Sequence, residues 1–524
     1  MGRKINILEE AYWHLWKKLI KQSAIDKFKS FSCNFSLMSL WETWRADRGG
    51  IRCFPVVLVT ILMCSGVVWE FFIPSFIITT DPARYQCYAL VFWFGTSATH
   101  VLPSLQCAFL DIANQKSAFH LLPFEYPPLT ILVFSLPLLV QLLNYQVTFA
   151  LLMAAVTMGI YWLLQYYGPS GSPLVFALYL LIGVPALALV RFDLLPALLT
   201  LLCVMAAERR RWTMAYCVLA GGVLLKIYPI LLLPALFMAE QQALGRLHVP
   251  ANDLVWRDVP RQCWYTLQGI LRWRWQNCLL FLILLLGITG VFALLDFHGA
   301  VVSQLSYFHQ RPIQVESTGS TVLWIARQMG TPWQKVEYSY GSINIVSDKL
   351  GQGVSQAEMS LLFVGIAYIL LLQWHKKLDI VQSSIALILV FLATGKTFSP
   401  QYLMWLIPLL AYSGAFNRFW LICWGIISLL TAILYIFFYS QLPTSINAHV
   451  IVLPTGFLGI VNARNILFVF VTLAYLFNWW QTRLRRWLPL AQIRSRDADI
   501  NNVVQEYTPE PVAKGEAEPA HPII

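Results

Sequence analysis

Apolar residues in this chain arrive in blocks. PVVLVTILMCSGVVWEFFIP from residue 55, QVTFALLMAAVTMGIYWLL from 146 and LICWGIISLLTAILYIFFY from 421 are nearly free of charge. Each is about 20 residues long, which at 1.5 Å per residue matches about 30 Å of hydrocarbon. The pattern predicts a multi-spanning bundle of α-helices, and the lack of polar alternation argues against a membrane β-barrel. Thirteen such segments begin near residues 55, 128, 147, 174, 192, 213, 227, 277, 358, 379, 399, 418 and 464.

The basic residues orient them. KKLIK and RADRGGIR precede the first block; Arg246, Arg257, Arg261, Arg272 and Arg274 dot 240–276; His375-Lys-Lys follows a later block and RLRR at 483–486 the last. By the positive-inside rule these mark the cytoplasmic face. Six alternating crossings from 277 then put 296–357, 396–400 and 439–463 outside. The first half holds seven candidates where an even number is needed, so one segment must be broken, short or re-entrant. Suspicion falls on 174–239, where segments are short and interrupted by RFD at 191–193 and KIYP at 226–229; such breaks are tolerated only in protein or beside a wet cavity. The expectation is about twelve transmembrane helices. If ERRR at 208–211 is cytoplasmic, 213–239 is a hairpin with Lys226 at its outer apex; if external, one kinked span.

Three regions follow: a basic cytoplasmic segment 1–54 with no cleavable signal peptide, a membrane domain 55–480, and a cytoplasmic segment 481–524, polar and Pro/Glu-rich from 493 and expected to be disordered. Two long non-cytoplasmic loops, 75–127 and 296–357, are candidates for function. The first carries an aromatic amphipathic helix at about 84–94, suited to the membrane interface. No internal repeat marks an inverted-repeat transporter.

Composition sharpens this. Of 524 residues 58% are apolar and 12% charged, which excludes a soluble enzyme. The net charge of +11 sits beside the spans, so it calls for membrane lipids and no nucleic acid. Ten scattered cysteines show no CxxC pair. Cys87 and Cys107 share the first external loop, where a disulfide is open to them, but free buried cysteines are the preferred reading.

Ionisable groups at the outer ends of spans carry the candidate chemistry, because each costs about 2.5–3.5 kcal/mol at bilayer depth unless paired or hydrated. They are Asp81 and Tyr85 in TTDPARY; Glu125 and Tyr126 in FEYPP; Arg191 and Asp193 in VRFDLLP; Lys226 and Tyr228 in LLKIYPILLLP; Lys396, Gln401 and Tyr402 in GKTFSPQYLMW; and His309, Arg311, Gln314 and Glu316 in YFHQRPIQVES. Gathered on one external face, carboxylates and cations suit transfer from a lipid phosphate: a carboxylate deprotonates an acceptor hydroxyl and cations hold the departing phosphate. No GxxxxGK[ST] loop suggests nucleotide hydrolysis. Each residue also has a structural role open to it. Asp81 before proline starts a helix or turn, Glu125 solvates the start of a helix whose first turn holds Pro128, Arg191 pairs with Asp193 or snorkels, and Lys226 does likewise; His309 fits an ordinary surface histidine.

FEYPPL, RFDLLPALL, AGGVLLKIYPILLLP, HQRPIQVES and KTFSPQYLMW, in this order, resemble the polyprenyl-phosphate-mannose-dependent mannosyltransferases of glycosyltransferase family 87, members of the C-type membrane superfold, over roughly 55–480. The resemblance implies an inverting enzyme that moves a hexose, typically mannose, from a polyprenyl-phosphate carrier to a lipid- or glycan-linked acceptor on the periplasmic side of a bacterial plasma membrane. No nucleotide-sugar, metal or other cofactor is expected. It implies Asp81 as the general base, with Tyr85 four residues on, and Tyr85, Arg191, Lys226, Tyr228, His309, Arg311 and Lys396 around donor phosphate and sugar. Glu125, Tyr126, Asp193, Gln314, Glu316, Gln401 and Tyr402 are expected to shape the pocket or meet the acceptor. One departure is Pro312, where many members have glycine. Two rivals remain: a flippase for lipid-linked sugars or polysaccharide, since transporters also carry broken helices and buried charges, and a non-catalytic assembly subunit with this fold.

Overall fold

The computed structural model describes residues 81–477 apart from 104–105, 111–118, 141–143, 170, 184–186, 248–258, 261–263, 265–268, 332–334, 347–348, 415–417 and 440–450. The segments 1–54 and 481–524 and the block from 55 lie outside the described residues. The chain divides into two units, Met1–Thr472 and Leu473–Ile524. Of the second only 473–477 are described, at the end of the last helix.

The helices in chain order are α1 (Asp81–Phe94), α2 (Thr130–Ser135, continued as a 3-10 turn to Leu139), α3 (Tyr145–Tyr167), α4 (Ser172–Gly183), α5 (Leu187–Val190), α6 (Leu194–Glu208), α7 (Trp212–Leu225), α8 (Leu233–Ala243, preceded by the 3-10 turn Tyr228–Leu232) and α9 (Gln276–Leu295). The second long loop then folds as α10 (Ser303–Gln310), β1 (Ile313–Gln314), α11 (Thr318–Gln328), β2 (Val336–Ser339) and β3 (Ser342–Ile345). The chain continues through α12 (Lys349–Trp374), α13 (Ile380–Thr394), α14 (Leu403–Tyr412), α15 (Arg418–Ile433) and α16 (Phe457–Leu476). Every apolar block from 128 onward is helical. The protein is an α-helical membrane protein, and α3, α9, α12 and α16 are long and apolar enough to span a bilayer. Local signals set several starts: Asn144 accepts from the Gln146 N–H before α3, and Asp379 with Gln382 forms a reciprocal cap on α13.

Side-chain contacts sort the helix termini into two ends. At one, Thr213 donates to Asn277 at 3.1 Å, Asn277 to Glu240 at 2.7 Å and Gln242 to the Gln373 carbonyl at 3.1 Å, while Tyr412 donates to Glu208 and Arg209 lies over the Tyr167 ring. These ties gather termini of α3, α6, α7, α8, α9, α12 and α14. The opposite termini of α6 and α7, and the start of α14, meet around Asp193, Lys226 and Trp405. Helices α7 and α8 are therefore a hairpin with Lys226 at its apex, the first of the two expected arrangements.

Two expectations are corrected. Within 174–239 the expected short segments are found, α4, α7 and α8 having 12, 14 and 11 residues; the element the sequence took for a span and that also falls short is α2, ahead of that region. With its 3-10 continuation it runs Thr130–Leu139, about 15 Å at helical rise, and Tyr145 at the start of α3 donates back to its Phe134 carbonyl at 2.8 Å. The sequence hid this because α2 is as apolar as a span and simply stops early. Second, Cys87 and Cys107 are joined in a disulfide with Cα atoms 5.7 Å apart. α1 buries Cys87 on its inner face, and the turn at 106–107 folds back there when Gln106 donates to the Ala83 carbonyl at 3.1 Å. α1 itself is more buried than an interfacial helix: Tyr85, Tyr88, Val91 and Phe92 enter the core, and only Trp93 and Phe94 are exposed aromatics.

The small sheet was not expected. Its order is β1-β3-β2, antiparallel throughout, with Ile313 opposite Ile345 and Val336 opposite Ile345 on the other edge. Tyr340 and Gly341 both have positive φ, 51° and 70°, as a two-residue hairpin turn requires. Val315, Val336 and Ile343 pack against Leu434, Phe457 and Val461, seating the loop on α15 and α16.

Candidate functional site

The polar end is built where helices stop short. α6 and α13 have 15 residues and α7 has 14, about 21–23 Å at helical rise against about 30 Å for a full span. The groups at the tips of α6 and α7 meet at one end of the bundle.

Phe192 is fully buried and meets Tyr85 on α1 edge-on, and Arg191 and Asp193 on either side of it supply the polar groups of this end. Arg191 Nε forms an ion pair with Asp81 Oδ2. Asp81 is the first residue of α1, followed by Pro82 in the first turn, so it opens the helix and carries the ion pair together. Asp193 Oδ1 accepts from Lys226 Nζ at 2.5 Å and from Trp405 Nε1 at 2.7 Å. Lys226 lies 5.1 Å from the Phe192 and Trp405 ring centres and 5.5 Å from that of Tyr402. Trp405 is sandwiched by Tyr228 and Tyr402, each at 4.0 Å, and Tyr228 OH is bonded to Thr200. Tyr85 is stacked on Phe134 and meets Tyr126 and Phe192 edge-on.

Beside this cluster the two long loops touch. Arg84 donates to Glu125 at 2.6 Å, and the hairpin tip rests on that pair: a Cβ at Gly341 would stand 2.5 Å from Glu125 Oε1. Arg311 donates to Tyr307 OH and Ser342 Oγ, both at 2.8 Å. It is only 8% exposed and has no carboxylate ion-pair partner among the described residues. Burial acts to lower its pKa, but Tyr307, Tyr402 and Glu125 outweigh that and hold it above the ordinary arginine value.

Deeper in the loop, Gln314 exchanges hydrogen bonds with Ser399 at 2.8 and 3.2 Å, and its N–H donates to the Lys396 carbonyl. Glu316 is fully buried 3.8 Å from Arg464. Burial pushes its carboxyl up to about 7 against the pull of Arg464, Arg191 and Arg311. Arg464 and Asn465 on α16 donate to the Glu316 carbonyl at 2.5 and 3.1 Å, and Asn465 reaches the Ser317 carbonyl and Thr321.

The structure thus brings Asp81, Tyr85, Tyr126, Arg191, Asp193, Lys226, Tyr228 and Tyr402 into one cluster, with Glu125, Arg311, Gln314 and Glu316 adjoining it. Lys396 faces the Glu358 carboxylate on α12, away from that centre, and Gln401 is half-buried beside Tyr402. His309 stands on α10, but its side chain is outside the described residues. Sequence reasoning missed Arg84, Trp405, Tyr307, Arg464 and Asn465. A charged NARN string inside the last apolar block was the available signal for the final two. Among the described residues no group of three His, Cys, Asp or Glu is placed to hold a metal ion. No family model matches the chain, and no curated protein matches it.

Proposed function

We propose that this protein is an inverting glycosyltransferase that moves a hexose, mannose by the resemblance of its motifs, from a polyprenyl-phosphate carrier to an acceptor hydroxyl on the non-cytoplasmic side of a bacterial plasma membrane. The observation that carries the reading is Arg311, a buried guanidinium without a carboxylate partner among the described residues, set beside Lys226, Arg191 and a carboxylate. That is the complement of a phosphate monoester whose ester bond is to be broken. A disulfide on the same end fits an oxidising compartment, and the alternating helix ends fit twelve crossings with α2 as a non-crossing element. Against a flippase, four of the five ion pairs among the described residues gather at the Asp81 end and the fifth, Arg274 with Glu240, lies at the opposite end, whereas a two-sided route needs them along the bundle.

In the mechanism, the Asp81 carboxylate takes the acceptor proton and the acceptor oxygen bonds to the anomeric carbon. The bond from that carbon to the phosphate oxygen breaks, and polyprenyl phosphate leaves held by Arg311, Lys226 and Arg191. Because Arg191 is paired with Asp81 in the unliganded protein, an arriving phosphate that draws Arg191 away frees the carboxylate for the acceptor. The test incubates purified protein with radiolabelled polyprenyl-phosphate mannose and membrane extract. Label should leave the carrier, and Asp81→Asn should stop this while the protein stays folded and donor-bound. Label that crosses the bilayer still attached to its carrier would give the flippase reading instead.

A further inference from the structure

The opposite end carries a cleft that plays no part in the proposed reaction. It is lined by Arg246, Trp273, Arg274, Trp275, Gln276 and Leu279. Gln241, buried at the end of α8, holds both arginines in place. Its carbonyl accepts from the Arg246 N–H at 2.9 Å, its side-chain oxygen from the Arg274 N–H at 2.8 Å, and its amide donates to the Arg274 carbonyl at 3.2 Å. Arg274 touches Gln276 at 3.2 Å and stands 4.0 Å from Glu240, whereas Arg246 is exposed with no carboxylate partner among the described residues. A second cleft shares Arg274 and adds Arg210 and Arg211.

The ridge above the cleft is apolar and uncovered. Leu279, Ile283 and Leu286 on α9 follow one another at four and three residues, one helix face, and are 54%, 66% and 67% exposed. Trp273 and Trp275 lie 6.0 Å apart, tilted by 32°, where this ridge meets the arginines, and indoles favour the headgroup boundary. Cations, then indoles, then an apolar track is the order of groups along an anionic phospholipid. We infer that this cleft is a binding site for an anionic diacyl glycerophospholipid, its phosphate between Arg246 and Arg274 and one acyl chain along Leu279, Ile283 and Leu286.

Native mass spectrometry of the full chain, titrated with phosphatidylglycerol or phosphatidylcholine, tests it. Phosphatidylglycerol should be retained about thirtyfold better, as two cations at a headgroup provide at about 1 kcal/mol each. Arg246→Gln and Arg274→Gln should each reduce that preference, and together abolish it, while Lys376→Gln with Lys377→Gln, exposed lysines outside the cleft, should leave it intact. Arg246→Gln alone suffices if the Arg274 variant fails to fold, since the Arg246 side chain is exposed. Equal retention of the two lipids, an unchanged preference in Arg246→Gln, or an equal loss in the lysine variant would overturn the inference. None of these outcomes depends on whether the protein transfers sugar.

Discussion

The two ends of the bundle use charge in opposite ways. At the end holding Asp81, most cations are paired with carboxylates and largely shielded from solvent: Arg191 with Asp81, Lys226 with Asp193, Arg84 with Glu125, Arg464 with Glu316, with Arg311 left over. At the other, Arg210, Arg211, Arg246 and Arg272 are exposed without carboxylate partners among the described residues. An exposed arginine at the interface keeps its hydration and orients the chain. A buried pair is costly to desolvate and weak evidence for stability, so four pairs of low exposure at one end are not explained by stability alone.

Substitutions can break that contrast. The largest effect should follow Asp81→Asn, with turnover falling by about 10²–10⁴-fold, the range of general-base catalysis, at unchanged carrier binding. Next, Lys226→Ala strands the buried Asp193 and should cost about 3 kcal/mol or more in thermal unfolding as well as raising the apparent KM for donor. Adding Asp193→Leu should restore much of the stability but not the donor affinity, separating the two roles. Arg464→Gln should cost about 3 kcal/mol by leaving Glu316 uncompensated and unclamped.

A pH effect should be smaller. The folded state holds the Glu316 proton to about pH 7, above its ordinary 4.5, so stability should decline as pH rises through that window, and Glu316→Gln should flatten the profile. The smallest effect belongs to the basic end. Arg210→Gln should change unfolding by no more than about 0.5 kcal/mol, and an effect as large as that of Lys226→Ala would erase the distinction between the ends.

Much of this was legible in the sequence. The apolar blocks located the helices from α2 to α9 and from α12 to α16, though not α10 and α11 inside the second long loop, and the groups now found together at the polar end were picked by residue type and position beside a block. What could not be read was pairing. Asp193 and Trp405 are 212 residues apart and Arg84 and Glu125 are 41 apart; residue type predicts that a buried charge needs a partner but not which one. The sheet escaped because its strands have two to four residues, too few for alternation to show. The disulfide escaped because Cys87 and Cys107 meet only once Gln106 bonds back to α1.

The hairpin turn at Tyr340 and Gly341 carries one more consequence. Its tip leans on Glu125 in the first loop, while the other side of β3 is bonded to β1, two residues beyond Arg311. The three strands form one hydrogen-bonded unit with the glycine as its contact point. Whatever lifts the tip, a side chain grafted at 341 or a bulky guest beneath it, should also tilt the guanidinium, so the two loops open and shut in step.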